Sequence, residues 1–129
     1  MKKFMIILFL YVLLLGCATV QPPSPEQLAT ADYGKYPDNY EEIIINSMSD
    51  LLIDPQSAIY SHWRGPVEGW VTSNGGYIFG YKVCTDVNAK NRFGGYTGRK
   101  TYFFVIRNGE IIRYARPENA PTETWCNFY

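Results

Sequence analysis

At 129 residues, 47% hydrophobic and 16% aromatic, the chain has room for one domain beyond its targeting and linker segments. That content excludes disorder over most of its length. Formal charge is zero, but residues 18–68 are acidic and residues 69–129 basic; the balance beyond Cys17 is mildly acidic, which excludes the strongly basic footprint of a nucleic-acid-binding domain.

Residues 1–17, MKKFMIILFLYVLLLGC, begin with Lys2 and Lys3 and continue in an unbroken apolar run from Phe4 to Leu15. A spanning helix needs about 20 apolar residues, so the run predicts a signal peptide and not a permanent anchor. Its end, Leu14-Leu15-Gly16-Cys17, resembles the lipobox of bacterial lipoproteins. That resemblance implies that Cys17 becomes the new N-terminus and carries acyl chains, two or more of which anchor stably where one is marginal. Ala18, where aspartate is the other choice, implies the outer membrane by resemblance to sorted lipoproteins. Ordinary signal cleavage after Ala18 is the alternative, because Gly16 and Ala18 also satisfy the small-x-small rule.

Residues 18–37 contain Pro22, Pro23, Pro25 and Pro37 and few branched side chains, the composition of a tether that holds a domain off the lipid surface. Tyr33 and Tyr36 are candidates to pack on that domain. A helix is expected next: Asp38 and Glu41 have capping-box spacing, and Tyr40, Ile44, Met48, Leu51 and Leu52 recur at three- and four-residue steps, with Ile43 widening the stripe. Ile45 lies off the stripe. Asp54-Pro55 stops the helix. Glu41 and Glu42 complement the helix dipole in its first turn, which explains them better than an acid pair would.

Ser57–Trp63 is the first strand expected, broken by Arg64-Gly65-Pro66; Val67–Thr72 is a short second one, followed by the turn signal Ser73-Asn74-Gly75-Gly76. Tyr77–Asn88 alternates, with Tyr77, Phe79, Tyr81, Val83 and Val87 on one face and Ile78, Gly80, Lys82, Cys84 and Asp86 on the other. After a loop over 89–98, Arg99–Arg107 is apolar on both faces at its centre, as a central strand should be. Asn108-Gly109 favours a type I′ turn into Glu110–Ala115. The expected fold is α+β: one N-terminal helix packed on a small, mainly antiparallel sheet of four to five strands, within a compact domain over 38–129.

Cys84 and Cys126 remain once Cys17 is set aside. In an exported domain they are expected to form a disulfide that ties the C-terminal tail to the central hairpin. His62 stands alone as a candidate base, and Ser61 beside it should point to the opposite face. No cofactor or metal site is expected, since no ligand set recurs at regular spacing. GxSxG, HExxH and P-loop patterns are absent from the sequence. The remaining feature is the loop NAKNRFGGYTGRK, with Lys90, Arg92, Arg99 and Lys100 around Phe93 and Tyr96. Its charges and open glycine N–H groups suit an anion, a glycan or a lipid headgroup; the plain alternative is a long hairpin connection with solvated charges.

The runs ADYGKY (31–36), DPQSAIY (54–60), VCTDVNAKNRFGGYTG (83–98) and YFFVIRNG (102–109) are similar to a group of short proteobacterial lipoproteins with no assigned activity. The resemblance spans roughly residues 31–112 and implies a lipoprotein with a periplasmic domain; it brings no catalytic residues. The expectation is a non-enzymatic binding or envelope-assembly module, lipid-anchored at the outer membrane, with an envelope protein, glycan or anionic ligand as partner. The alternative is a cell-wall-acting enzyme or an inhibitor of a secreted hydrolase, with Asp86 in a cleft beside a second acid.

Overall fold

The computed structural model describes residues 20–128, so the signal peptide, Cys17 and Tyr129 lie outside the described residues. Most of the described chain is one antiparallel meander of β1 (Asp54–Ser73), β2 (Gly76–Lys90), β3 (Lys100–Arg107) and β4 (Glu110–Ala115), paired in that order. With it go three short helices among the described residues, α1 (Pro25–Ala29), α2 (Tyr40–Met48) and α3 (Thr122–Trp125). The class is α+β and mostly sheet, with three short helices where a single N-terminal one was expected.

The capping box expected at Asp38 and Glu41 does not form: Asn39 is the N-cap of α2 and makes no side-chain bond there. It forms instead on α1, where the Ser24 hydroxyl accepts from the Gln27 N–H and the Gln27 side chain accepts from the Ser24 N–H. Helix α2 also ends early. The Ser49 hydroxyl donates to the Asn46 carbonyl at 2.6 Å, a local bond of the kind that competes with helix continuation. Leu51 and Leu52, past the helix end, still pack on the core that α2 serves.

β1 is one strand, not two. Arg64-Gly65-Pro66 was expected to break it, but the break is absorbed by register shifts on either side of Arg64, and pairing resumes at Val67 with Lys82. β1 is an edge strand, where a proline without an N–H is tolerated. Both hairpin turns use Asn-Gly with positive φ at each residue, Asn74-Gly75 and Asn108-Gly109, as type I′ turns require.

β3 is buried from Thr101 to Ile106, because side chains on both of its faces enter a core. On one face Val83, Val87, Tyr102, Phe104 and Ile106 meet Ile44 and Met48 of α2. On the other, Cys84, Phe103, Val105 and Ala115 meet Cys126, and the expected Cys84–Cys126 disulfide is present. It draws α3 and Phe128 over a face that no helix of the N-terminal half covers.

Residues 20–37, expected as part of a tether, lie along the sheet. The Tyr77 hydroxyl donates to the Gln21 carbonyl at 2.8 Å, Tyr33 meets Phe79 edge-on at 5.6 Å, and Tyr36 meets Tyr81 at 5.3 Å. Asp32 pairs with Arg107. Gly34, at φ +78, passes so close to Asn108 that a Cβ would sit 2.6 Å from its Oδ1. There the Lys35 N–H donates to Asn108 Oδ1 at 2.9 Å. The packing of Tyr33 and Tyr36 agrees with expectation, and the contacts beside them turn this stretch into a strap.

Candidate functional site

Residues 91–99 join β2 to β3 and are organised by Asn91. Its Oδ1 accepts from the N–H groups of Phe93 at 2.9 Å and Gly95 at 3.2 Å, and its carbonyl accepts from Gly94 at 3.0 Å. Asn88 Oδ1 accepts from the Gly98 N–H at 3.0 Å. The loop N–H groups expected to be open to an anion are therefore occupied by the loop itself. The result is a connection of defined shape whose tip ring, Phe93, is 88% exposed, uncommon for so large an apolar side chain without a packing role.

The six residues singled out in this region do not form one patch. Lys90 lies over the Tyr96 ring at 5.4 Å, and the Tyr96 hydroxyl donates to the Ser57 carbonyl on β1. Lys100 donates to Glu118 at 2.7 Å; that bond holds the Glu118 carboxyl below the usual carboxylate range and the Lys100 ammonium above its own. Lys90 and Lys100 share a hollow of about 210 Å³ with Tyr102 and Arg116. Arg99 turns elsewhere, to within 3.5 Å of His62 Nδ1. Arg92 and Phe93 are left exposed on the loop.

Asp86 is enclosed by partners. Arg64 Nη2 reaches its Oδ1 at 2.9 Å, the Thr101 hydroxyl donates to the same oxygen at 2.7 Å, and His62 Nδ1 stands 3.4 Å from Oδ2. Ser61 Oγ lies 3.2 Å from that ring nitrogen, closer than strand alternation allows, because His62 sits in the irregular stretch of β1 at φ +51. Here a single nitrogen, Nδ1, faces serine, aspartate and arginine together. A nucleophile–base–acid relay needs the two ring nitrogens turned to different partners, so the trio is not set for acyl transfer.

A larger concavity lies on the face stapled by the disulfide. Arg113 on β4 donates from Nη2 to the Thr72 carbonyl on β1 at 3.0 Å, although those strands are the two edges of the sheet. The sheet is therefore curled, and inside the curl is a groove of about 690 Å³. Trp70, Tyr114 and Trp125 line it with Lys82, Arg113 and Val20. The Lys82 stem runs across Gly69, where any Cβ would collide with it, and its ammonium lies 4.9 Å from the centre of the Phe128 ring. Burial pushes the Lys82 ammonium below its ordinary range. Sequence reasoning did not reach this groove: its walls come from opposite sheet edges, and only the curl brings them together.

Among the described residues, no group of three or more His, Cys, Asp or Glu side chains is placed to hold a metal ion, and no helix is long and apolar enough to cross a membrane. No protein-family model matches the chain, and neither a curated protein nor a solved structure is significantly similar to it.

Proposed function

We propose that this chain is a bacterial lipoprotein, anchored through Cys17 at the outer membrane and facing the periplasm, whose folded part is a non-enzymatic binding or envelope-assembly module. The observation that carries the binding role is Phe93, held in water on a loop already fixed by Asn91 and Asn88. A pre-ordered loop loses little conformational freedom on capture, so an exposed ring on it is an efficient anchor. Arg92 beside it adds a positive charge suited to an envelope protein, a glycan or another anionic ligand.

The course of the chain supports the orientation. Gln21 is bonded to Tyr77 at the start of β2, whereas the loop leaves β2 at Lys90. At about 3.3 Å per residue these ends are up to roughly 45 Å apart. An anchor at Cys17 therefore turns the loop away from the lipid. The enzyme reading finds less support, because the partners of Asp86 among the described residues are Arg64, Thr101 and His62, none of them an acid.

Photocrosslinking in cells from a probe at position 95, which is exposed on the same loop and leaves Arg92 and Phe93 in place, followed by mass spectrometry, tests the binding role. A discrete partner is expected, and Arg92→Ala with Phe93→Ala should abolish its capture while leaving the thermal midpoint unchanged. Undiminished capture by the double variant, or a large loss of stability, would reject it. Globomycin treatment or Cys17→Ser should leave an unprocessed precursor; normal maturation of that variant would reject the anchor.

A further inference from the structure

We infer that the groove inside the curled sheet is a site for the headgroup of an anionic phospholipid, and that the domain docks on the membrane surface through it. The inference rests on the anchor at Cys17 and adds a second, non-covalent contact with the same bilayer. Three observations carry it.

The first is position. Val20 lines the groove and stands three residues after Cys17. Three residues span at most about 10 Å. The strap holds the following residues to the domain through the Gln21–Tyr77, Asp32–Arg107 and Lys35–Asn108 bonds. Slack that would let the domain float away from its anchor is therefore confined to that short span, and the groove lies at headgroup level.

Charge is the second. Lys82 and Arg113 line the groove, no Asp or Glu does, and neither cation has an acidic partner among the described residues. Arg113 spends one nitrogen on the Thr72 carbonyl, and its guanidinium has further donors to offer. A partly buried ammonium held without a counter-charge is stabilised by an arriving phosphate. Cations near an anionic leaflet each strengthen binding by about fivefold.

The third is the aromatic rim. Trp125 is partly exposed and lines the groove beside the two cations, while Trp70 and Tyr114, which follow Phe79 and Phe104 onto the other face of the sheet, border it only at the strand edges. Trp and Tyr settle at the membrane–water interface, apolar ring inward and polar tip in the headgroups. The other surface rich in cations, the hollow at Lys90 and Lys100, includes Glu118 and lies at the far end of β2, so it does not compete for this role.

The test uses the full lipidated chain in vesicles, with Trp63→Phe so that emission comes from Trp70 and Trp125. Acyl-chain-brominated phospholipids act as quenchers, in phosphatidylcholine alone and with phosphatidylglycerol added. Quenching should be clearly greater with phosphatidylglycerol and should fall to the neutral-lipid level in Lys82→Gln with Arg113→Gln. Circular dichroism of that variant confirms that it is folded; if it is not, Lys82→Gln alone is read. Equal quenching in both lipids, or quenching unchanged by the folded variant, would overturn the site. An emission shift with soluble peptidoglycan fragments, without lipid quenching, would assign the groove to a glycan and overturn it as well. Intact mass separates the two readings: a chain without acyl groups sinks the anchor and the docking together, whereas an acylated chain without anionic-lipid quenching sinks the docking alone.

Discussion

Asp32 and Arg107, 75 residues apart in sequence, meet as Oδ2 and Nη2 at 2.7 Å, and the same guanidinium also donates to the Asp32 and Phe79 carbonyls. One side chain of β3 thus binds both the strap and β2. The Gly34 N–H and then Arg107 hold the Asp32 carboxyl below its usual range. A carboxyl depressed in the folded state contributes stability at pH above its unfolded value and loses it as pH falls through the folded one. The strap should therefore loosen below the ordinary carboxylate range, with loss of hydrogen-exchange protection, taken relative to the intrinsic rate at each pH, at the Gly34 and Lys35 amides. Asp32→Asn should show that lower protection already at neutral pH, and its protection should no longer change with pH. Identical exchange in both proteins would show that Tyr33 and Tyr36 hold the strap unaided.

Cys84 and Cys126 close a loop of 42 residues, for which loop entropy gives roughly 4 kcal/mol. Cys126→Ala with Cys84→Ala should lose about that much in chemical denaturation. The loss should fall first on the tail, because α3 and Phe128 lie on the disulfide's side of the sheet. Thiol titration of the denatured, unreduced lipidated chain should find no free thiol; one per chain would mean the pair is open.

These features were unevenly legible in the sequence. Asn108-Gly109, the alternation of β2 and the apolar centre of β3 are local signals, and each corresponds to an element of the fold. The pairing of the cysteines followed from there being two left over. The Ser24–Gln27 capping box is equally local, but the prolines around it have the composition of a tether and mask its signal. Two other departures had no local signal. β1 continues through Arg64-Gly65-Pro66 because its edge position and the bulges around Arg64 absorb the proline. The groove depends on Arg113 reaching Thr72, a contact between sheet edges that no window of sequence contains. In the loop the composition was clear but the geometry was not: Asn91 fixes the shape, and Lys100 and Arg99 turn to different partners.

Asp86 and His62 should differ sharply when replaced. Asp86→Ala leaves Arg64 without its carboxylate, and the Arg64 Nε is already buried without a partner. Breaking a largely buried pair on one side should cost about 3 kcal/mol. The His62 side chain is 59% exposed, and its φ of +51 suits asparagine better than histidine. His62→Asn should therefore change stability by no more than about 0.5 kcal/mol. Urea denaturation of both variants decides the point. A costly His62→Asn would give the histidine a structural share in the cluster that its single-nitrogen geometry does not suggest.

Lys82 sets stability against binding. Burial lowers its ammonium below the ordinary lysine range, so the folded chain releases that proton more readily than the unfolded one. Where the unfolded state binds more protons, stability rises with pH. The penalty is therefore fully present at neutral pH and fades as pH climbs from the lowered value towards the ordinary one. Lys82→Met keeps a flexible stem across Gly69 and against Phe128 and removes the ammonium. It should stabilise the domain at neutral pH by about 1 kcal/mol and flatten the alkaline rise, read as the urea midpoint at neutral pH and near pH 10. The same variant should lose the anionic-lipid quenching. A groove kept for packing alone would gain stability and lose nothing, whereas one that takes a headgroup retains a costly cation because the ligand needs it. A Lys82→Met protein less stable than the parent would mean that the ammonium's contact with Phe128 outweighs its desolvation, and the trade would not exist.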